Sequence, residues 1–312
     1  MWKFFRDSSS HFLLFLMFFL VSPSSATSRK LSSLVQQQPL VLDYHNGPLL
    51  KGNVTINLHW YGKFTPTQRS IVLDFLQSLN SPQAPSPSVS SWWWTTQYYK
   101  GGPSTLDLGS QVLDENYSLG KLLKSPQMPI LASKAGSTSR NGGAVVDLLL
   151  TSDDVAVDGF CMNRCGTHAS SAAAGVKGRF AYAWVGNSAS QCPGQCAWPF
   201  HQPIYGPQSP PLVAPNGDGG IDGMTINLAT VLAGTITNPF GNGYFQGSAG
   251  APLEAVSVCT GIFGKGAYSG YPGAVLVDKT TGASYNANGI NGRKYLLPAM
   301  WNPRTSTCDT IA

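Results

Sequence analysis

The six cysteines are the sequence feature that most restricts how this chain can fold. All of them lie in the second half of a 312-residue chain: Cys161, Cys165, Cys192, Cys196, Cys259 and Cys308. An even number of cysteines in a secreted chain favours disulfides, so we expect three cross-links. The two Cys-x3-Cys units predict a ladder of Cys161–Cys196 and Cys165–Cys192, which leaves Cys259 to pair with Cys308. A Cys/His metal cluster with His168 and His201 is the alternative, and an oxidising compartment disfavours it.

The N-terminus predicts that compartment. Lys3 and Arg6 precede an apolar run over residues 12–21, and the small residues at 22–26 suit signal peptidase. The run is too short to span a bilayer, which needs about 20 residues. No later segment is long and apolar enough to cross a membrane. We therefore predict secretion and no membrane span.

The remaining chain predicts one disulfide-stabilised α+β domain with a mixed sheet and packed helices. The signal peptide takes residues 1–26, a flexible polar lead-in takes 27–50, and the domain takes 51–312. Alternating apolar residues over 54–61 and an apolar run over 144–151 predict strands, as does the segment 178–185. Helices are expected at 66–79, 91–99 and 222–236. The sequons at Asn53 and Asn116 predict N-glycosylation.

Composition excludes some functions. Only 11% of the residues are charged, and the formal net charge is +5, scattered along the chain. Such a small excess is not the footprint of a nucleic-acid-binding protein, although weak attraction to an acidic polysaccharide is compatible with it. The triple Trp at 92–94 suits core packing better than a sugar-stacking platform.

Few side chains offer catalytic chemistry. We expect no cofactor, no metal and no catalytic residue, because the run from Met224 to Ile236 has no charged residue, histidine or cysteine. The group 151–154 is expected to cap a turn. If the protein is nevertheless an enzyme, five residues are the first to test: His168, His201, Asp153, Asp154 and Glu254.

Four segments carry a family resemblance, at residues 192–207, 211–218, 275–282 and 292–301. They include Cys192-Pro-Gly-Gln-Cys-Ala-Trp-Pro-Phe-His and Gly292-Arg-Lys-Tyr-Leu-Leu-Pro. These segments resemble the plant EXORDIUM-like, or phosphate-induced, family of cell-wall proteins. The resemblance implies an apoplastic protein linked to brassinosteroid-dependent growth, cell expansion and carbon status. It supplies no catalytic residue.

A more distant resemblance concerns residues 222–239. This segment is similar to a zincin-type pattern of Asp-Gly-Met, then His-Glu-Leu-x-Glu, then Thr-Asn-Pro or Thr-Asp-Pro. The zincin His-Glu pair falls on Thr230 and Val231 here, and the later Glu falls on Gly234. The resemblance implies a zincin-like scaffold without the groups that hold zinc or activate water.

Three hypotheses follow. The first is a non-catalytic secreted protein that regulates growth by binding a wall polysaccharide or a receptor ectodomain. The second is a hydrolase, metallopeptidase-like or glycan-acting, with an unrecognised site. The third is a structural wall component.

Overall fold

The computed structural model describes residues 40–102, 104–136, 143–162, 164–172, 179–207 and 209–312. The predicted signal peptide and the first part of the predicted lead-in fall outside these ranges. Within residues 40–50, Leu42 is buried and Asp43–Tyr44 pair with Tyr244–Phe245. This part of the segment that we predicted to be flexible is therefore attached to the domain.

The strands, in chain order, are β1 (Asp43–Tyr44), β2 (Gly52–Tyr61), β3 (Ser104–Asp114), β4 (Leu122–Leu123), β5 (Ala144–Thr151), β6 (Ala156–Val157), β7 (Gly166–Ala172), β8 (Arg179–Gly186), β9 (Tyr244–Phe245), β10 (Leu276–Val277), β11 (Ser284–Tyr285), β12 (Ala287–Asn288), β13 (Lys294–Tyr295), β14 (Met300–Asn302) and β15 (Thr307–Asp309). The α-helices are α1 (Pro66–Ser78), α2 (Val89–Trp93), α3 (Met128–Ser133), α4 (Pro193–Cys196) and α5 (Gly219–Thr237). Short 3₁₀ helices span Trp94–Tyr98, Ser125–Gln127, Ser257–Cys259 and Ile290–Gly292.

A five-stranded sheet organises the domain, in the order β3-β2-β5-β8-β7. The first four strands are parallel, and β7 runs antiparallel to β8 at one edge. The predicted α+β class with a mixed sheet is confirmed. Strand β5 lies in the middle, and its residues from Val146 to Thr151 are all buried, which fits its nearly continuous apolar sequence.

The two faces of the sheet are covered by different elements. Ile56, Leu58 and Trp60 of β2 belong to a core that also contains the buried side chains of α1 and α5. Tyr61, Leu149 and Trp184 belong to a second cluster with α3 and the chain around Leu123. Because successive side chains of a strand point to opposite faces, one apolar strand supplies both cores.

Helix α1 begins where its sequence predicts. Thr65 and Gln68 form a reciprocal capping box, and Pro66 occupies the first turn, where its missing N–H group costs no hydrogen bond. Ile71, Val72, Phe75 and Leu76 are buried on its inner face, as their helical spacing predicts.

Helix α5 is almost wholly enclosed, because its sequence consists mainly of apolar residues, glycine and threonine, with Asp222 as its one charged residue. Asp218 caps its first turn by accepting a hydrogen bond from the Ile221 N–H group. The helix packs against β7 and β8 and against α1. It is longer than the predicted 222–236, since the loop Gly219-Gly220 forms its first turn. In the part of the chain that the structure describes, no helix combines the length and apolarity needed to cross a bilayer.

All six cysteines form disulfides, but the predicted ladder is wrong. The observed pairs are Cys161–Cys192, Cys165–Cys196 and Cys259–Cys308. Only the third was predicted correctly. The cysteines of α4 lie one helical turn apart, and the segment 161–165 passes them in the same chain direction, so both pairs have a sequence separation of 31.

Candidate functional site

A groove of about 930 Å³ runs along the exposed side of α5. We call it the α5 groove. Its floor is formed by Ile226, Asn227, Thr230 and Val231, which lie on successive turns of the helix. The sequence predicted an apolar helix at this place. From Gly220 to Thr237 every residue of the helix is buried except Asn227 and Thr230, which belong to this floor.

One wall of the α5 groove is covalently fixed. The Cys165–Cys196 disulfide and Gly166 at the start of β7 line it. Asn227 reinforces this wall, because its Nδ2 atom donates to the Cys196 carbonyl at 2.7 Å and to the Gly223 carbonyl at 3.0 Å. The floor and this wall therefore form one rigid unit.

Two loops and one irregular segment complete the groove. Residues 203–207 and 267–270 are the loops, and residues 256–257 and 260–263 supply the segment. Trp198 also lines the groove, and its ring lies 5.7 Å from the ring of Phe263, centroid to centroid. Aromatic and small polar side chains thus face the same space.

The α5 groove is nearly free of ionisable groups. Among the described residues that line it, Arg164 is the one charged side chain, and none is Asp, Glu or His. The polar lining consists of amides and hydroxyls, such as Asn227, Thr230, Ser257 and Thr260. Such groups form hydrogen bonds with a neutral ligand but do not transfer protons near neutral pH.

The three positions of the zincin-like pattern have different surroundings. Thr230 and Val231 line the α5 groove. The Thr230 hydroxyl donates to the Ile226 carbonyl of its own helix at 3.0 Å. Gly234 lies one turn further on, where two side chains from other segments fill the space beside it. A Cβ atom at Gly234 would lie 2.5 Å from Glu254 Oε2 and 3.0 Å from His168 Nε2.

The structure brings together two of the five residues named for a possible enzyme, His168 and Glu254. The His168 Nε2 atom lies 2.9 and 2.8 Å from the Glu254 Oε1 and Oε2 atoms. Because an ionised carboxylate only accepts hydrogen bonds, Nε2 carries a proton. Asn238 Nδ2 donates to Glu254 Oε1 at 2.6 Å, and Asn238 Oδ1 accepts from the Gly243 N–H group. We call these three side chains the Glu254 cluster.

The Glu254 cluster is largely enclosed. The His168 and Glu254 side chains are only 11% and 13% exposed. The His168 Nδ1 atom is buried and has no hydrogen-bond partner among the described residues. Neither side chain lines the α5 groove.

The other three residues named for an enzyme lie elsewhere. His201 is exposed, and its Nδ1 atom lies 3.2 Å from the neighbouring Gln202 carbonyl oxygen. Asp154 accepts from Ser152 Oγ at 2.6 Å within the predicted turn and pairs with Lys121 at 2.6 Å. These bonds and that of Tyr117 lower the pKa of Asp154 to about 2, despite desolvation that acts in the opposite direction. The Asp153 carbonyl accepts from Ser190 and Gln191. No candidate catalytic set with His168 results.

The first turn of α5 holds another buried carboxylate. Asp222 accepts from the Asn216 backbone N–H at 2.8 Å and from Asn216 Nδ2 at 2.6 Å. Burial raises the pKa of Asp222 to about 7, and these hydrogen bonds only partly oppose it. The sequence 216–222, which superficially resembles a calcium loop, is thus cross-linked by its own side chains. Among the described residues, no group of three or more His, Cys, Asp or Glu side chains could hold a metal ion.

Comparison with known proteins shows the family. The conserved region described as "Phosphate-induced protein 1 conserved region" matches residues 42–311. The chain is 61% identical to "Protein EXORDIUM-like 2" of Arabidopsis thaliana, over 97% of this chain and 99% of the relative. It is 59% identical to "Protein PHOSPHATE-INDUCED 1" of Nicotiana tabacum, over 97% and 99%. It is 54% identical to "Protein EXORDIUM" of Arabidopsis thaliana, over 96% and 99%.

The chain belongs to the EXORDIUM-like, phosphate-induced family. None of these names is that of an enzyme. No solved structure matches the chain, so the zincin-like scaffold stays a prediction. The predicted roles of the candidate site residues, and glycosylation at Asn53 and Asn116, also stay predictions, although both asparagines are exposed.

In this EXORDIUM-like chain, the sequence did not reveal which residues complete the groove. Tyr205 and Tyr268 lie in Gly- and Pro-rich loops without periodicity. Asn238 lies just after the predicted helix 222–236, and nothing in the local sequence indicates its contact with Glu254. Their roles depend on contacts between segments far apart in sequence, which no local pattern records.

Proposed function

We propose that this EXORDIUM-like chain is a secreted protein of the apoplast and cell wall that regulates growth without catalysis. It acts by holding a wall or receptor partner in the α5 groove. Its family membership and the signal-like residues 1–26 support this proposal. Brassinosteroid-dependent growth, cell expansion and development are the processes in which we expect it to act.

The chemistry of the α5 groove carries the proposal. A ligand-sized space with a disulfide-fixed wall is lined by hydroxyls, amides and aromatic rings, but by no carboxylate or imidazole among the described residues. Hydrolysis by general acid–base catalysis needs such groups within hydrogen-bond reach of the substrate. The same lining suits recognition, because ligand sites combine apolar walls with a few fixed polar groups.

A groove-blocked variant tests this function in plants. Thr230→Trp places a large ring on the groove floor, whereas Thr67→Trp places the same ring on the exposed side of α1 and is the matched control. We expect that the wild-type protein and both variants will be detected in apoplastic fluid. Wild type and Thr67→Trp should increase leaf cell area in response to brassinosteroid, and Thr230→Trp should not. Retention of the protein inside cells, or full activity of the blocked variant, would refute the proposal.

A hydrolase is the second candidate, and one observation favours it. Glu254 fixes the Nε2 side of His168, while the Nδ1 atom has no partner among the described residues. This second ring nitrogen is buried, so it would transfer a proton only to a substrate that reaches the enclosed Glu254 cluster. Purified secreted protein should be assayed on wall polymers and peptides beside His168→Ala. Turnover that disappears in this variant would establish the hydrolase and overturn the binding proposal.

A further inference from the structure

Strongly exposed aromatic side chains concentrate beside the α5 groove. Among the described residues, four tyrosines and tryptophans are exposed by more than a third: Trp94, Tyr205, Tyr268 and Tyr271. Tyr205 is 87% exposed and Tyr268 is 69% exposed, and both line the groove. Large rings left in water at a concave site mark a surface that binds a partner.

The loops that carry these rings hold each other in place. The Ser209 hydroxyl donates to the Gly270 carbonyl at 2.7 Å. Gly270 has a φ of +86°, and a Cβ atom there would lie 2.6 Å from Pro207 Cβ. Only glycine permits both this backbone conformation and this approach. The loops 203–207 and 267–270 therefore meet directly, and their tyrosines lie beside the contact.

The second loop is also fixed internally. Tyr268 and Tyr271 exchange two backbone hydrogen bonds, of 3.0 and 2.8 Å. Their ring centroids are 5.1 Å apart. A ring on a braced turn loses little conformational entropy when a ligand covers it, which makes Tyr268 a preorganised contact.

The charges near the rings restrict the chemistry of the ligand. Arg164 is the one side chain charged at neutral pH among the described groove-lining residues, and it is exposed. A polyanion would require several cations, because each exposed pair contributes little. The groove hydroxyls of Thr230 and Thr260 donate to the Ile226 and Ser257 carbonyls and so offer a ligand their lone pairs. The Ser257 hydroxyl accepts from the Glu254 N–H group and keeps its proton for donation. Sugar hydroxyls can serve as partners of both kinds. A peptide backbone alternates separate donors and acceptors. Arg164 could pair with its carboxyl end, but no carboxylate among the described groove-lining residues would hold its amino end.

We infer that the α5 groove binds a neutral, linear, β-linked polysaccharide chain, whose pyranose faces stack on Tyr205 and Tyr268. This inference rests on the proposed function and names the wall partner in it. The flat apolar faces of the sugar rings cover the exposed tyrosines, and the equatorial hydroxyls reach the amide and hydroxyl groups of the floor.

Isothermal titration calorimetry with the purified, disulfide-intact protein tests the inference. The probes are cellohexaose and mannohexaose as neutral β-linked chains, polygalacturonate as an acidic polymer, and a proline decamer as a peptide that favours aromatic grooves. We expect saturable binding of at least one neutral chain. Tyr205→Ala and Tyr268→Ala should each weaken it by about tenfold or more, which corresponds to about 1.4 kcal/mol. Trp94→Ala removes an exposed ring outside the groove and should bind as wild type does.

Three results would overturn the inference. They are no binding of either neutral chain, wild-type affinity for the neutral chain in Tyr205→Ala and Tyr268→Ala, or binding of polygalacturonate or the proline peptide that is tighter than that of the neutral chains. Because the tyrosines are exposed, the variants should unfold at the wild-type temperature, which circular dichroism checks. The plant assay separates the two proposals. If Thr230→Trp abolishes growth activity while no glycan binds, the glycan inference fails and the proposed function stands.

Discussion

Thr230 and Gly234 lie one turn apart on α5, yet the protein uses the space beside them in opposite ways. Beside Thr230 the helix opens into a neutral groove. Beside Gly234 the space is filled by the carboxylate of Glu254 and the ring of His168. The ionisable side chains at Gly234 thus form hydrogen bonds within the protein, whereas the surface at Thr230 that is open to a ligand carries almost no charged side chain.

Cys259–Cys308 and Cys165–Cys196 lie near these two regions. Removing one or the other should give the largest difference in the free energy of unfolding. Cys259–Cys308 closes a loop of 49 residues and anchors the chain just after Glu254. Replacing both of these cysteines with Ser should lower the free energy of unfolding by about 4 kcal/mol. Removing Cys165–Cys196 from the groove wall should cost less than half as much, because Cys161–Cys192 still closes nearly the same loop. Urea unfolding measures both, and equal losses would contradict this ranking.

Glu254→Ala should be the most destabilising single substitution in the Glu254 cluster beside Gly234. It leaves the enclosed His168 and Asn238 donors without their acceptor, so we expect a loss of about 1–3 kcal/mol. Glu254→Gln keeps one acceptor oxygen and should cost less. Chemical denaturation that shows no loss for Glu254→Ala would mean that the cluster contributes nothing to stability.

Asp222 makes stability depend on pH at the first turn of α5. Its pKa is raised to about 7 in the folded protein, against about 4 in an unfolded chain. The folded state therefore binds the extra proton between these values, and stability falls as pH rises through this window. Asp147, whose pKa burial raises to about 6, acts in the same direction, and His59, whose pKa burial lowers, acts in the opposite one.

The difference between wild type and Asp222→Asn isolates this contribution. The free energy of unfolding, measured by urea titration from pH 4.5 to 6.5, should fall with pH more steeply in wild type, by up to about 1.4 kcal/mol per pH unit. Parallel curves for the two proteins would show that Asp222 is ionised in the folded state throughout.

The effect of Gly234→Ala on the free energy of unfolding should have opposite signs in wild type and in the Glu254→Ala variant. In wild type the new methyl group displaces Glu254 and should cost about 1 kcal/mol. In Glu254→Ala the carboxylate is gone, although the His168 ring must still shift slightly because its Nε2 atom would lie 3.0 Å from the new methyl group. The better helix propensity of alanine should then stabilise by up to about 1 kcal/mol. A double-mutant cycle measures this coupling, and the same effect in both backgrounds would break the link between Gly234 and the Glu254 cluster.

Groove substitutions should have the smallest effect on stability. Thr230→Ala and Tyr268→Ala remove groups that face solvent in the free protein, so each should stay within about 0.5 kcal/mol of wild type. A larger loss in thermal or urea unfolding would show that the groove is held together by the side chains that we assign to its ligand.

Local signals predicted much of the scaffold. The capping residues of α1, the apolar run of β5 and the uncharged sequence of α5 each specify an element without help from the rest of the chain. Strands β3 and β7 were missed, because their Ser-, Thr- and Gly-containing sequences have no clear apolar period and are ordered by their neighbours in the sheet.

The amino-acid sequence is enough to indicate the family and the α+β class, and it shows that residues 224–236 of α5 include no charged residue, histidine or cysteine. It also indicates His168 and Glu254 as candidate residues, but it does not show that their side chains are in contact. Tertiary structure alone decided the direction in which the two Cys-x3-Cys segments pair, the filling of the space at Gly234 and the meeting of the tyrosine loops. The cause is separation along the chain. Helix caps and apolar periods act within a few residues, whereas His168 and Glu254 are 86 residues apart in sequence. They are brought together only by the packing of β7 and the 254–259 segment around α5.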